Sequence, residues 1–229
     1  MGITIPPVAR IDWRKSWRII PSRFPPIDLF ERVASAEEWE LIAEIESLTN
    51  PRLREEVGDL SLVPVEDRVF GSGSSWVMAP FTHLNPHGSR FSDGSWGVYY
   101  ASYQLETAIA ETKFHRENFM RATNEAPMHL DMRVIVASVK GELHNILGKE
   151  YTNTELYSPD SYTVSQDLGR RLKRIDSFGI VYWSVRQCSG QNIAIFRPKT
   201  ISKWCQERHL EYVWNGQKIS SVFEKTLVK

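Results

Sequence analysis

The chain is poor in cysteine: Cys188 and Cys205 are the only two among 229 residues. Two thiols cannot frame a disulfide-stapled domain, and they suit a reducing compartment. A surplus of one charge is missing as well, since 28 Lys and Arg balance 28 Asp and Glu. A dedicated nucleic-acid binder normally carries a basic excess, so no direct nucleic-acid binding by this chain alone is expected, although the balance leaves room for a local basic patch. No apolar run reaches the ~20 residues that span a bilayer, and no signal peptide is recognisable. The expectation is a cytoplasmic protein with free thiols and no membrane partner.

The common nucleotide loops are absent too. The stretch GSGSS at 71–75 is neither a Walker loop nor a dinucleotide fingerprint, and no helix is clearly predicted after it. His83 and His87 are four apart, but Pro86 opposes the helix that would aim both at one metal, so no metal is expected. There is no serine elbow and no CxxC pair. Cys188 sits in a Gln-Cys-Ser-Gly turn with no histidine near it in sequence, and reads as structural.

What is present is ordinary globular material, 41% hydrophobic and 24% charged, with eight tryptophans and eight tyrosines. The length suits a single domain over 1–229, with an N-terminal arm and helices over 1–64 and a core over 65–229. The first 26 residues, rich in proline and in Arg10, Arg14, Lys15, Arg18 and Arg23, read as an irregular basic arm. A helix is predicted over 35–50 from the Ser35–Glu38 capping box and the Leu41, Ile45, Leu48 stripe, and Asn50-Pro51 starts a short one that Gly58 ends. Strands follow over 67–70, 76–78 and 97–101, then a helix capped by Ser102 that runs to Met120. Leu130, Met132, Val134 and Val136 recur at period two, a half-buried strand over 129–139. A helix over 161–175 precedes two strands, GIVYWSV and NIAIFRP. Asn215-Gly216 marks a hairpin between HLEYVW and KISSVF. Without sustained βαβ alternation, a mixed α+β fold is predicted.

One segment carries chemistry. GSRFSDGSWGVYYAS, 88–102, couples a glycine-studded loop presenting Arg90 to an aromatic strand and then to a helix. Glycines let backbone approach a ligand, and the Arg90 fork suits either phosphate oxygens or carbonyls that anchor its loop. Tyr99 and Tyr100 must alternate between core and sheet surface. On the helix, Glu111 borders the apolar face, where it can point into a cleft or pair with His115 at i,i+4.

The spacing of Gly-Ser-Arg90-Phe91, Val-Tyr-Tyr100-Ala and Glu111, with Tyr-Trp-Ser184-Val-Arg186 and Asn192-Ile-Ala-Ile-Phe-Arg-Pro198 downstream, resembles the RES-domain family over roughly residues 65–200. Gly-Ser-Arg90-Phe91-Ser92 departs from that family's usual Gly-Gly-Arg-Trp-Asn. The resemblance implies an ADP-ribosyltransferase-like fold of mixed β-sheets with flanking helices, here with an N-terminal helical elaboration. It implies NAD+ as substrate, and a toxin that breaks the nicotinamide–ribose bond until a cognate Xre-like antitoxin blocks it. Members are often dimeric, so a homodimer is one expectation. On that resemblance Glu111, Arg90 and Tyr100 are catalytic, and Arg68, Arg90, Tyr100 and Ser184 contact NAD+. Rival readings are an interaction module with a degenerate pocket, and a metal-dependent nuclease using His83, His87 and Asp93.

Overall fold

The computed structural model describes residues 4–22, 58–226 and 228. The two helices predicted over 35–50 and from Asn50-Pro51 lie outside the described residues. The strands are β1 (Val8–Pro21), β2 (Tyr99–Ser102), β3 (Met128–Asn145), β4 (Gly179–Trp183), β5 (Gln191–Ile195), β6 (Ile201–Trp214) and β7 (Ile219–Lys225). The helices are α1 (Ser75–Thr82), α2 (Leu105–Ala122), the single turn α3 (Lys149–Thr152) and α4 (Thr163–Arg174). The predicted mixed α+β class is what the chain adopts.

The long strand β3 organises the sheet. One edge pairs with β1 from Val8↔His144 to Pro21↔Met132, and the other with β6 from Met128↔Trp214 to Val139↔Ile201. Its last residues, His144 and Asn145, pair in parallel with β4. The order is β1-β2-β5-β4-β3-β6-β7, and because β1 meets both β2 and β3, the first five of these strands close into a ring.

Three apolar clusters hold this frame. Trp13, Tyr99, Val139 and Leu143 share one with α1 residues Val77, Met78 and Phe81. Met132, Val134 and Val136, with Leu130 against them, meet Ala108 of α2 and Tyr212 and Trp214 of β6 in the second. Period-two alternation thus placed β3 correctly. The third joins Phe91 to Leu168 and Leu172 of α4 and to Ile180 and Tyr182 of β4. The hairpin at Asn215-Gly216 forms as predicted, with Gly216 at φ 93°.

The structure corrects four expectations. Residues 8–21 are a strand rather than an irregular arm. Their register shifts between Trp13 and Ser16, so Ile11, Trp13, Ser16 and Ile19 point inward at mixed parity and the alternation is lost. Residues 75–82 form α1, directly after the GSGSS stretch, instead of a strand: Val77, Met78 and Phe81 share a helical face against the core. Residues 65–67 are a short 3-10 turn and 68–70 are irregular, so no strand occupies 67–70. Ser102 belongs to β2, and its hydroxyl donates to Asn192 Oδ1 at 2.7 Å instead of capping α2. Gln104 is the residue at that cap.

Candidate active site

Where β2 hands over to α2, the chain borders a cleft of about 770 Å3. Its walls come from β1 (Trp17, Arg18, Ile19), the glycine loop (Gly88, Ser89, Arg90), β2 (Tyr100, Ala101, Ser102), one face of α2, and Tyr182 and Asn192 of β4 and β5. Three arginines, Arg18, Arg90 and Arg116, face two carboxylates, Glu111 and Asp160, so the lining favours an anionic ligand.

Glu111 is held rather than left to solvent. Ser184 Oγ and Asn192 Nδ2 both donate to its Oε1 at 2.7 Å. Asn192 is in turn fixed by Ser102, and the Ser184 hydroxyl accepts the backbone N–H groups of Arg186 and Gln187 at 3.0 Å each. Those two N–H groups polarise the hydroxyl toward the carboxylate, and the network fixes one orientation. Thr112 Oγ1, 2.7 Å from the Tyr212 hydroxyl, pins the middle of α2 to β6. The i,i+4 pairing of Glu111 with His115 is thus displaced by contacts from β5 and from the turn after β4.

The tyrosines alternate as the sequence requires: Tyr99 is wholly buried in the first cluster, while Tyr100 lines the cleft. The Tyr100 hydroxyl lies 2.8 Å from Ser89 Oγ and accepts the Phe91 N–H at 3.0 Å, which ties strand to loop. Burial outweighs those hydrogen bonds, which act the other way, and pushes its phenol up to about 12, so it stays neutral. Tyr182 is raised further by burial and then by the Glu111 charge.

Arg90 lines the cleft but sends its fork into the protein. Nη1 donates to the Leu156 carbonyl at 3.0 Å, Nη2 to that of Ser158 at 3.1 Å, and the guanidinium lies over the Tyr162 ring at 4.7 Å. The anchoring alternative left open by the sequence is therefore realised. Arg68 is not brought to the cleft; its Nε and Nη2 donate to the carbonyls of Val63 and Leu60. Ser184 meets Glu111 but is not among the cleft-lining residues.

Two side chains of the cleft escaped sequence reasoning. Arg18 projects from β1, donates to the Tyr100 carbonyl at 3.0 Å and stands 4.9 Å from the Tyr99 ring centre, with its buried Nε unpartnered among the described residues. Its signal was an arginine framed by Trp17, Ile19 and Ile20, hidden among the basic residues of the presumed arm. Asn192 could have been found as a polar residue heading the apolar run Ile193–Ile195.

The glycine loop is clamped at its tip. Asp93 accepts from the hydroxyl and the N–H of Ser95 and from Arg170 of α4. These hold its carboxyl at about 2, the Ser95 hydroxyl most strongly. A depressed carboxylate contributes stability that is complete above its ordinary 3.8 and is lost as the pH falls toward 2. Urea unfolding between pH 5 and pH 2 should therefore show a decline that is shallower in Asp93→Asn; equal slopes would discard this assignment. The same contacts leave Asp93 committed to the loop, and His83 bonds Thr82 Oγ1 at 3.1 Å, which opposes the nuclease reading. Among the described residues no cluster of His, Cys, Asp and Glu could hold a metal. Cys188, read as structural, is an exposed thiol.

The chain as a whole is similar to known proteins. The chain is 33% identical over 207 residues to the uncharacterized protein y4oC of Sinorhizobium fredii, covering 90% of this chain and 86% of that one. Among solved structures it is similar to a chain of the M. tuberculosis MbcT–MbcA toxin–antitoxin complex, with 10% identity, a TM-score of 0.47, and coverage of 88% of this chain and 87% of that chain. A family model described as the RES domain matches residues 66–215, which hold the Arg90 loop, the Glu111 helix and Ser184. The chain belongs to the RES-domain family.

Proposed function

We propose that this protein is a toxin that cleaves NAD+ at the nicotinamide–ribose bond and is neutralised by a cognate antitoxin. The observation that carries the reading is the Glu111 carboxylate, fixed by two donors on one oxygen at the wall of an arginine-lined cleft. Membership of the RES-domain family supports it.

The chemistry suits the residues. Nicotinamide leaves as a neutral pyridine from a cationic ring, so no general acid is needed. Positive charge develops on the ribose, as in glycoside hydrolysis. A prepositioned carboxylate stabilises that charge without reorganising during the reaction. Because Ser184 and Asn192 occupy Oε1, the other oxygen of Glu111 is the one left to face the ribose. Arg18 and Arg90 bring positive charge to the cleft wall for the pyrophosphate, while Arg90 also holds the far wall in place. The rings of Tyr100 and Tyr182 offer flat surfaces for nicotinamide.

Incubating purified protein with NAD+ and measuring free nicotinamide by chromatography tests the reading. Release at catalytic turnover is expected; an interaction module with a degenerate pocket would release none. Removing one of the two donors in Ser184→Ala should slow release by about tenfold, roughly 1.4 kcal/mol of lost orientation, with Asn192 still in place. Unchanged turnover would show that the hydroxyl does not position the carboxylate.

A further inference from the structure

His115 stands one helical turn beyond Glu111 on α2, and both side chains line the cleft. Residues four apart on a helix have Cβ atoms about 5–6 Å apart, close enough for the two groups to reach one reacting centre. They are not spent on each other, because Glu111 Oε1 takes its hydrogen bonds from Ser184 and Asn192. The imidazole packs edge-on against Phe114, with ring centres 5.4 Å apart. The other partner of Phe114 is the Arg186 guanidinium, 3.3 Å from its centroid and bonded to the Pro159 carbonyl at 2.5 Å. His115 is thus seated by a strap that joins α2, the turn after β4 and the segment before α4.

Charged groups face this imidazole from three elements: Glu111 and Arg116 on α2, Arg186 from the turn after β4, and Arg90 from the glycine loop. The ring is exposed at the cleft, where partial desolvation by the wall is the first influence and favours the neutral form; Glu111 opposes it, and the three arginines act with it. Its pKa lies below the ordinary imidazole value, and at neutral pH one ring nitrogen carries a free lone pair.

The departing nicotinamide needs no proton, but an attacking water must lose one. We propose that His115 is the general base that takes this proton, and that the cleft therefore uses water, a neutral protic acceptor, in hydrolysing NAD+. The inference rests on the NAD+-cleaving reading of the site. The electron pair of the ribose–nitrogen bond passes to nicotinamide, the water oxygen bonds to the ribose carbon, and the proton moves to the imidazole and then to solvent. Nicotinamide, ADP-ribose and one proton result.

His115→Gln keeps size and polarity but is a far weaker base. It should lower nicotinamide release at pH 7 by about 10²-fold. The activity loss that the wild type shows on acidification, centred below the ordinary imidazole range, should disappear with it. Azide is an anionic nucleophile with no proton to surrender, so it should restore release in both His115→Gln and His115→Asn, with ADP-ribosyl azide as product. Near-ultraviolet circular dichroism confirms that each variant is folded. Wild-type rates in both variants, or a deficit that azide does not relieve, would reduce His115 to a packing role. A wild type that releases no nicotinamide would instead overturn the underlying reading of the cleft, and this assignment with it.

Discussion

Replacing Glu111 with Gln is expected to lower nicotinamide release by about 10²–10³-fold while the fold survives. The substitution is nearly isosteric, and its side-chain oxygen can still accept from Ser184 and Asn192. What it removes is the negative charge that the developing ribose cation would meet. In a wall shared with buried Tyr182 and Asn192, that charge is screened less than it would be in water. NAD+ affinity, by calorimetry, should change by less than tenfold, because the loss falls on the transition state. Cells expressing the wild type should lose NAD+ and stop growing, and cells expressing Glu111→Gln should not. Release by Glu111→Gln within threefold of wild type would sink the catalytic assignment.

Phe91→Ala should be the most destabilising single change around the cleft, costing about 3–5 kcal/mol. Phe91 is wholly buried and meets the Tyr182 ring edge-on at 4.9 Å. Its N–H holds the Tyr100 hydroxyl, and its carbonyl lies 2.1 Å from where a Cβ on Gly169 would sit, so α4 rides directly over it. Truncation therefore opens a cavity between α4 and the cleft wall and loosens Arg90 next door. Urea unfolding should show a lowered midpoint with an unchanged slope. A loss under 1 kcal/mol would mean that the neighbours collapse into the space. The Phe91 ring is wholly buried, which leaves little room for the tryptophan of the pattern the loop resembles: Phe91→Trp should cost about 1–3 kcal/mol by overpacking.

Much of the site was legible because its parts are local. The loop–strand–helix order around Arg90, Tyr100 and Glu111 lies within a continuous segment, and Tyr99 and Tyr100 had to alternate. What stayed hidden depends on residues far apart in sequence. The network Ser102–Asn192–Glu111–Ser184 joins positions up to 90 residues apart, and no periodicity announces it. The strand β1 was masked by its own bulge and by basic side chains on its exposed positions. α1 has eight residues, contains Pro80 and is apolar on several sides, so its short run carries no clear helical stripe. The carbonyl partners of Arg90, Leu156 and Ser158, lie more than 60 residues downstream, and charge patterning cannot foresee a fork spent on backbone.

The ring closure of the sheet also sets the order in which the molecule can be built. Ser16 bonds the Ala137 carbonyl across 121 residues, so among the described strands β1 has only its Trp17↔Ser102 pairing with β2 until β3 has left the ribosome. Glu111 waits longer, because its two hydrogen-bond donors stand at positions 184 and 192. Closing such wide loops is entropically slow relative to local pairing. A chain under synthesis therefore carries its carboxylate and its first arginine for most of its length without a formed cleft, and competence arrives only with β5.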